Sequence, residues 1–367
     1  MEMTLHIFNP EHDIALANGM RQVTPPHAAR QLRHDLGFIP ALWAKTGDVV
    51  LVEDAEHAAR AYQRVSQTIA RLFGLDTPNV TFADDANFNN ASLGDIDPWG
   101  WDYSIYSRLM NNIACDKARL PSKDYVSTVM ELSHRRMAAN MLPKLRTIHD
   151  TVGEAVECAT LHEVYLQIAR FDGNAVLKAP WSSSGRGVRF IENSMTPTTE
   201  RWARNILAKQ KALMVEPNYR HIADFGMEFN SRGDGTAEYL GLSLFSTIGG
   251  AYSGNILATE ARKRTLLSRF VGGQQLDAVR EAVCSNDFAP LTSRYKGPFG
   301  IDMMIVAGDN GNGFMLHPCV EINLRRTMGH LALSLTPGDD DVVGLMQVAF
   351  EGKFKLRIRR DGASSTQ

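Results

Sequence analysis

Short apolar runs and amphipathic stretches alternate through the first third of the sequence. "LHIF" reads as a strand, "HAARQLRHDLG" as a helix closed by Gly37, "GDVVLVED" as a strand, "AEHAARAYQRVSQTIARLFG" as a long helix closed by Gly74, and "NVTFAD" as a further strand. This alternation predicts a small parallel α/β sheet. No G-x-G-x-x-G follows the first strand, which argues against a dinucleotide site there. "NNASLGDIDPWGWDYSIYSRLMNNIA" supplies turn residues and then a helix, with Trp99 and Trp101 read as core. Pro121 then breaks the helical pattern and places a domain boundary near Leu120 to Lys123.

Beyond that boundary, Val129, Leu132, Met137 and Met141 recur as the apolar positions of one helix, and "TLHEVYLQIARFDG" is a second, ending at Gly173. Two β-rich runs, Ala175 to Ala179 and Val188 to Glu192, flank a loop of serines and glycines. "TERWARNILAKQ" is a helix, "ALMVEPNYRHIADFGMEFN" a strand that breaks at Pro217, and "TAEYLGLSLFSTIGGAYSGNILAT" a set of strands about a glycine-rich turn. "LDAVREAVCSNDFAPL" is helical. "GPFGIDMMIVAG" and "GFMLHPCVEINLRRTMGHLAL" begin as strands joined by the turn "GDNGNG". "DDDVVGLMQVAFEGKF" reads as a last amphipathic helix with Asp339 to Asp341 at its N-terminus, and "KLRIRRDGASSTQ" as a fraying tail.

A chain of 367 residues is long enough for two or three domains, and 44% apolar with 22% charged residues is ordinary for a globular enzyme. A formal charge of -2 gives no footprint for nucleic acid or for an anionic membrane, so any anion must be held by a local site. Cys115, Cys158, Cys284 and Cys319 have no C-x-x-C spacing, which argues against a zinc site or a disulfide framework and fits a reducing compartment. "MEMTLHIFNPEHD" lacks the basic start and apolar core of a signal peptide, and no run approaches the roughly 20 apolar residues of a membrane span. A cytoplasmic protein with no nucleic-acid or membrane partner is expected.

The candidate chemistry is concentrated late in the chain. Glu321 and Asn323 stand two apart on a strand and share a face, Arg325 continues the row, and Asp302 lies on the preceding strand. Carboxylate and amide oxygens side by side suit a hard cation such as magnesium, and the guanidinium suits phosphate oxygens that arrive with it. A lone E-x-N is also what a solvated edge strand carries. Upstream, the small residues Ser182, Ser183, Ser184, Gly185 and Gly187 let backbone N–H groups approach a polyphosphate, with Arg186 and Lys178 adding charge. A plain turn has the same composition, and no G-K-[ST] makes it a P-loop. Glu216 ends a strand from which the backbone would pair with an adenine edge, and His221, Asp224 and Glu228 are available for ribose hydroxyls or a cation. In the first loop, "NPEHDIALANG", Asn9, Glu11, His12, Asp13 and Asn18 follow a strand end where open α/β sheets bind ligands; a polar loop with a helix cap at Asp13 is the plainer reading.

In this order the parts, a lysine on a strand, a Ser/Gly hairpin, a strand ending in Glu, "GME", an Asp strand and "EINLR", resemble the ATP-grasp superfamily over roughly Val126 to Phe350. The resemblance implies an α/β unit over 1–122, followed by an ATP-grasp fold over 123–352 in which two α+β subdomains, about 145–215 and 216–352, clamp ATP, with 353–367 as a tail. It also implies that Lys178 contacts phosphate, Ser182 to Gly187 form the lid, Glu216 lies at the adenine hinge, Glu228 lies near ribose or phosphate, and Asp302, Glu321 and Asn323 hold Mg2+ or Mn2+. Arg325 would steady the transferred phosphoryl group. The family's second lysine is missing from "SHRRMAAN", where Arg135 or Arg136, the latter assigned to ATP, takes its place, and Pro217 after the hinge acid departs from the family pattern. The activity implied is ATP-dependent joining of a carboxylate to an amine, with a phosphotransferase or a nucleotide-binding protein without turnover as alternatives. Asn9, Glu11, His12, Arg326 and His330 are the candidate substrate contacts.

Overall fold

The computed structural model describes residues 3–20, 24–88, 93–112, 116–182, 187–248, 251–308 and 313–360. The chain begins as a parallel sheet, formed by β1 (Met3–Ile7), β2 (Val49–Leu51), β3 (Thr81–Ala83) and β4 (Leu93–Pro98) in the order β3-β2-β1-β4. Helices α1 (His12–Ala17), α2 (His27–Leu36), α3 (Ala55–Phe73) and α4 (Tyr103–Asn112) join and cover these strands. Sequence pattern accounts for α3 in particular. Asp54 accepts a hydrogen bond from the His57 amide at its start, and Gly74, at φ 65, turns the chain out of its last turn. β4 lies inside a stretch read as turn because Asp95, Asp97 and Pro98 interrupt its apolar positions, of which Leu93 and Ile96 are buried.

The single helix expected around Val129 to Met141 is two, α5 (Lys123–Leu132) and α6 (Arg136–Leu145). The break has a local cause. His134 Nδ1 accepts the Arg136 amide, and the Arg135 amide donates to Pro180 instead of continuing the helix. β5 (Val156–Cys158), α7 (Leu161–Arg170), β6 (Asn174–Lys178), β7 (Val188–Glu192), α8 (Pro197–Gln210) and β8 (Leu213–Pro217) follow. Their strands form an antiparallel sheet, β5-β8-β6-β7, whose apolar face packs on α7 and α8 through Val164, Ile168, Ala203 and Leu213.

The remainder folds as β9 (His221–Arg232), β10 (Ala237–Ser243), β11 (Phe245–Ile248), β12 (Ala251–Leu257), α9 (Glu260–Leu267), α10 (Gly273–Cys284), α11 (Ala289–Thr292), β13 (Lys296–Ala307), β14 (Phe314–Asn323), α12 (Met328–Ser334), β15 (Gly344–Phe350) and β16 (Phe354–Arg360). It makes two antiparallel sheets, β10-β9-β13-β14 and β11-β12-β15-β16. A parallel unit followed by two α+β units is the arrangement that the ATP-grasp resemblance implies.

The end of the chain departs from expectation. "GLMQVAF" is β15 and not an amphipathic helix, Asp339 to Asp341 stand in a turn, and the supposed tail from Lys355 to Arg360 is strand, paired along its whole length with β15. The period is two: Leu356 and Ile358 turn inward between Lys355, Arg357 and Arg359. Partners decided the matter, because β15 also pairs with β12, and Leu356 and Met346 join a core cluster with Leu36, Val50 and Ile69 of the first unit. Phe354 N donates to Asp35 Oδ2 at 2.7 Å, although 319 positions separate them.

Candidate functional site

Strand register brings the late acidic residues together. β9 and β13 set Gly226 opposite Asp302 and Glu228 opposite Gly300, while β13 and β14 set Asp302 opposite Glu321 and Gly300 opposite Asn323. Residues opposite one another share a face, so Glu228, Asp302, Glu321 and Asn323 project together. Asn323 Nδ2 donates to Asp302 Oδ2 at 3.1 Å. Burial, with Glu321 and Glu228 nearby, pushes the Asp302 carboxyl up to about 8. Two carboxylates and an amide whose charge is this poorly balanced suit a hard divalent cation, with the amide oxygen of Asn323 now held by Arg325. Asp224 lies farther along the same face, 3.1 Å from His221 Nε2 and accepting from Thr247 Oγ1.

The hairpin unit meets this face. Lys178 at the end of β6 and Glu216 on β8 form an ion pair of 2.5 Å, both largely buried. Arg135, buried at the break between α5 and α6, donates through Nη1 to Ala179 O at 2.6 Å and Ser182 Oγ at 2.8 Å, and through Nη2 to Glu321 Oε1 at 2.8 Å. Arg135 therefore links the hairpin root to the carboxylates. Arg136, assigned to ATP from the sequence, turns away to Glu157 at 3.3 Å, because one helical step rotates it outward. The amide of Ala179 donates to Gly187 O at 2.8 Å and so closes the hairpin root. Ser183, Ser184 and Gly185 lie outside the described residues.

Two buried side chains of β14 had no place in the site as read from the sequence. Burial raises the Cys319 thiol, with the charges of Asp302, Glu216 and Glu321 adding to the effect and Lys178 opposing it. His317, 5.7 Å from the Tyr219 ring, is pushed down to about 3 by burial and by Lys178, and neither ring nitrogen has a hydrogen-bond partner among the described residues. Lys263 is a third surprise: fully buried on α9, it donates to Leu242 O at 2.9 Å, and burial lowers it to about 8 against the pull of Glu260 and Glu228. Nothing in "EARKRTLL" separates it from its basic neighbours, exposed Arg262 and half-buried Arg264.

The first loop joins the same site. Arg325 donates to both Asp13 oxygens, at 2.9 and 2.8 Å, and to Asn323 Oδ1 at 3.0 Å. Burial acts to raise Asp13, but the Arg325 guanidinium outweighs it and holds the carboxyl below its usual range. A narrow gap lined by His12, Asp13, Trp181, Ser182, Glu321 and Asn323 runs between loop, hairpin root and β14. Asn9 is fixed by Gly100 O and Asp102 Oδ2, at 2.8 and 2.9 Å.

Arg326 and His330 sit elsewhere. Arg326 reaches Asp97 at 2.7 Å and stacks 4.8 Å from the Trp43 ring; burial opposes ionisation of Asp97, but Arg326 and His6 bring it down to about 2. His330 is buried at 3.0 Å from Glu228, where it caps α12 with Thr327. Neither lines the gap or the larger cleft described below.

Gly100 passes between the loop and β14 so closely that a Cβ there would lie 2.8 Å from the His12 ring and 2.8 Å from Arg325 Cβ. Gly100→Ala is therefore expected to displace Arg325, costing about 1–3 kcal/mol of stability and weakening ATP binding. Denaturant melts and an ATP-analogue titration check this; an alanine variant matching the parent in both would show that the loop has room to spare.

No family model matches the chain, and no curated protein matches it. Among solved structures it is similar to N5-carboxyaminoimidazole synthetase from Staphylococcus aureus, at 10% identity and TM-score 0.46, covering 95% of this chain and 83% of that one. It is also similar to an ATP complex of biotin carboxylase from Campylobacter jejuni, at 12% identity and TM-score 0.47, covering 95% and 76%. A third is the biotin carboxylase domain of 2-oxoglutarate carboxylase from Hydrogenobacter thermophilus with MgADP and bicarbonate, at 12% and 0.49, covering 95% and 74%. Likenesses with TM-scores below 0.5 are distant, and what those proteins bind is a property of theirs.

Proposed function

We propose that the chain is an ATP- and magnesium-dependent ligase of the ATP-grasp type, joining a small-molecule or peptide carboxylate to an amine through an acyl phosphate. The observation that carries this reading is the Arg135 bridge. It draws Ser182 at the hairpin root to Glu321, beside Asp302 and Asn323, with the Lys178–Glu216 pair behind.

Each group has a part that follows from its chemistry. Asp302, Glu321 and Asn323 would hold the cation, which when bound supplies charge neutralisation at the phosphates. Lys178, Arg135 and Arg325 present fixed positive charge to phosphate oxygens, and phosphoryl transfer depends mainly on such positioning and electrostatics. A carboxylate is a poor electrophile, so its oxygen attacks the γ-phosphorus and ADP leaves. The amine nitrogen then attacks the acyl carbon, phosphate departs, and the nitrogen gives up a proton. No side-chain nucleophile is required. The hairpin over 182–187 would exclude the water that hydrolyses an acyl phosphate.

Incubation with ATP, magnesium, hydroxylamine and pooled carboxylates tests the route without knowledge of the amine. Hydroxamate formation coupled to ADP release is expected. A phosphorylated product stable to hydroxylamine would replace the ligase by a phosphotransferase, and no ADP with any pool would leave nucleotide binding without turnover.

A further inference from the structure

A second cleft, of about 560 Å³, opens in the first unit where β1 and β4 end. Its place follows from topology. In the order β3-β2-β1-β4 the chain leaves β1 toward one side of the sheet and returns at β4 on the other, so the loops after these two strands diverge. Ligands of open parallel sheets bind in such crevices, and 560 Å³ is ample for a small molecule.

Its lining carries two opposite demands. Arg30, Arg33 and Arg108 place three guanidiniums on the walls. Arg33 is paired with Glu11 and Glu53, and Arg108 with Asp85, whereas Arg30 is exposed and has no ion pair among the described residues. Arg30 is free to take a carboxylate or phosphate. Glu11, 6% exposed, faces the same cleft: one oxygen pairs with Arg33, and the other, Oε2, is buried with no hydrogen-bond partner among the described residues. A buried carboxylate oxygen lacking a donor is costly, and a ligand N–H would satisfy it. The next two residues, His12 and Asp13, line the gap beside Glu321 and Asn323, so the chain runs directly from the cleft at Glu11 to that gap.

We propose that this cleft seats the amine substrate, and that the amine also bears an anionic group, with its nitrogen on Glu11 and its carboxylate or phosphate on Arg30. The inference rests on the ligase reading for the amine's role. An amine without an anion leaves Arg30 unmatched, and an anion without an amine leaves Glu11 Oε2 bare. Two-headed molecules answer both.

Calorimetric titration of the full chain without nucleotide uses glycine, β-alanine, aspartate and phosphoethanolamine as two-headed probes, against acetate, inorganic phosphate and ethanolamine. A fluorescent ATP analogue is titrated into the same samples. At least one two-headed probe is expected to bind about tenfold more tightly than any one-headed control, with Arg30→Ala and Glu11→Gln each weakening it about tenfold. Arg30→Ala should leave the ATP analogue's affinity unchanged, and the amino acid and phosphoethanolamine arms separate carboxylate from phosphate. If the analogue binds but no two-headed probe exceeds its controls, or Arg30→Ala leaves such binding intact, the proposal fails and the ligase reading survives. No analogue binding by the parent protein would remove the ligase reading, and the amine-substrate role with it.

Discussion

Glu321→Gln should reduce ATP turnover by about 10²–10³-fold without loss of stability. The substitution keeps the shape of the side chain, and a glutamine oxygen can still accept the hydrogen bond that Arg135 Nη2 gives Glu321 Oε1 at 2.8 Å, so the link from hairpin root to β14 is retained. What disappears is one negative charge beside Asp302, opposite it in the β13–β14 ladder. The cation site then has a single carboxylate and an amide, too little charge to hold a hydrated divalent ion against water. The same change removes one of the charges that push Asp302 up, so the metal-free variant should melt no lower than the parent. Coupled ADP assays and thermal melts measure both. Turnover within a few-fold of the parent would show that Glu321 serves Arg135 alone.

Removing magnesium should make stability fall as the pH rises, the reverse of the usual trend for an ion-paired aspartate. Burial, Glu321 and Glu228 raise the Asp302 carboxyl to about 8 in the fold, whereas in the unfolded chain it titrates near 4. Between these values the folded state keeps a proton that the unfolded state has released. The stability tied to that proton is complete below about pH 4 and is lost as the pH climbs through about 8. Magnesium bound in place of the proton should cancel the loss, so the stabilisation by Mg-ADP over EDTA should be larger at pH 8 than at pH 5.5. In Asp302→Asn the metal-free melting curve should flatten across this window. Parallel curves for parent and variant would place the titrating group elsewhere.

The fold and the candidate site were legible to different depths. Glu321 and Asn323, and Asp302 one strand earlier, could be read because strand geometry alone puts alternate residues on one face, and a tight turn joined the two strands. Lys178 and Glu216 followed from their places at strand ends. The sequence reading gave ATP to Arg136 and had no means of separating it from Arg135, since their directions depend on a helix break that involves both the neighbouring His134 and Pro180, a residue of another segment. Asp13 was visible as one of several polar residues, but its pairing with Arg325 spans 312 positions and leaves no local trace. β15 was mistaken for a helix because "GLMQVAF" satisfies either period, and only its neighbours β12 and β16 decide between them. Lys263 and His317 were hidden for the simplest reason: burial belongs to the folded chain.

The core shared by Leu36, Val50 and Ile69 with Met346 and Leu356 has a bearing on biogenesis. As the polypeptide leaves the ribosome, the opening α/β unit carries a bare oily side until its C-terminal cover has been translated. At about 5–20 residues per second that interval is roughly tens of seconds. For that time the nascent chain carries an uncovered apolar face, and the first unit is complete only once β15 and β16 have closed over it.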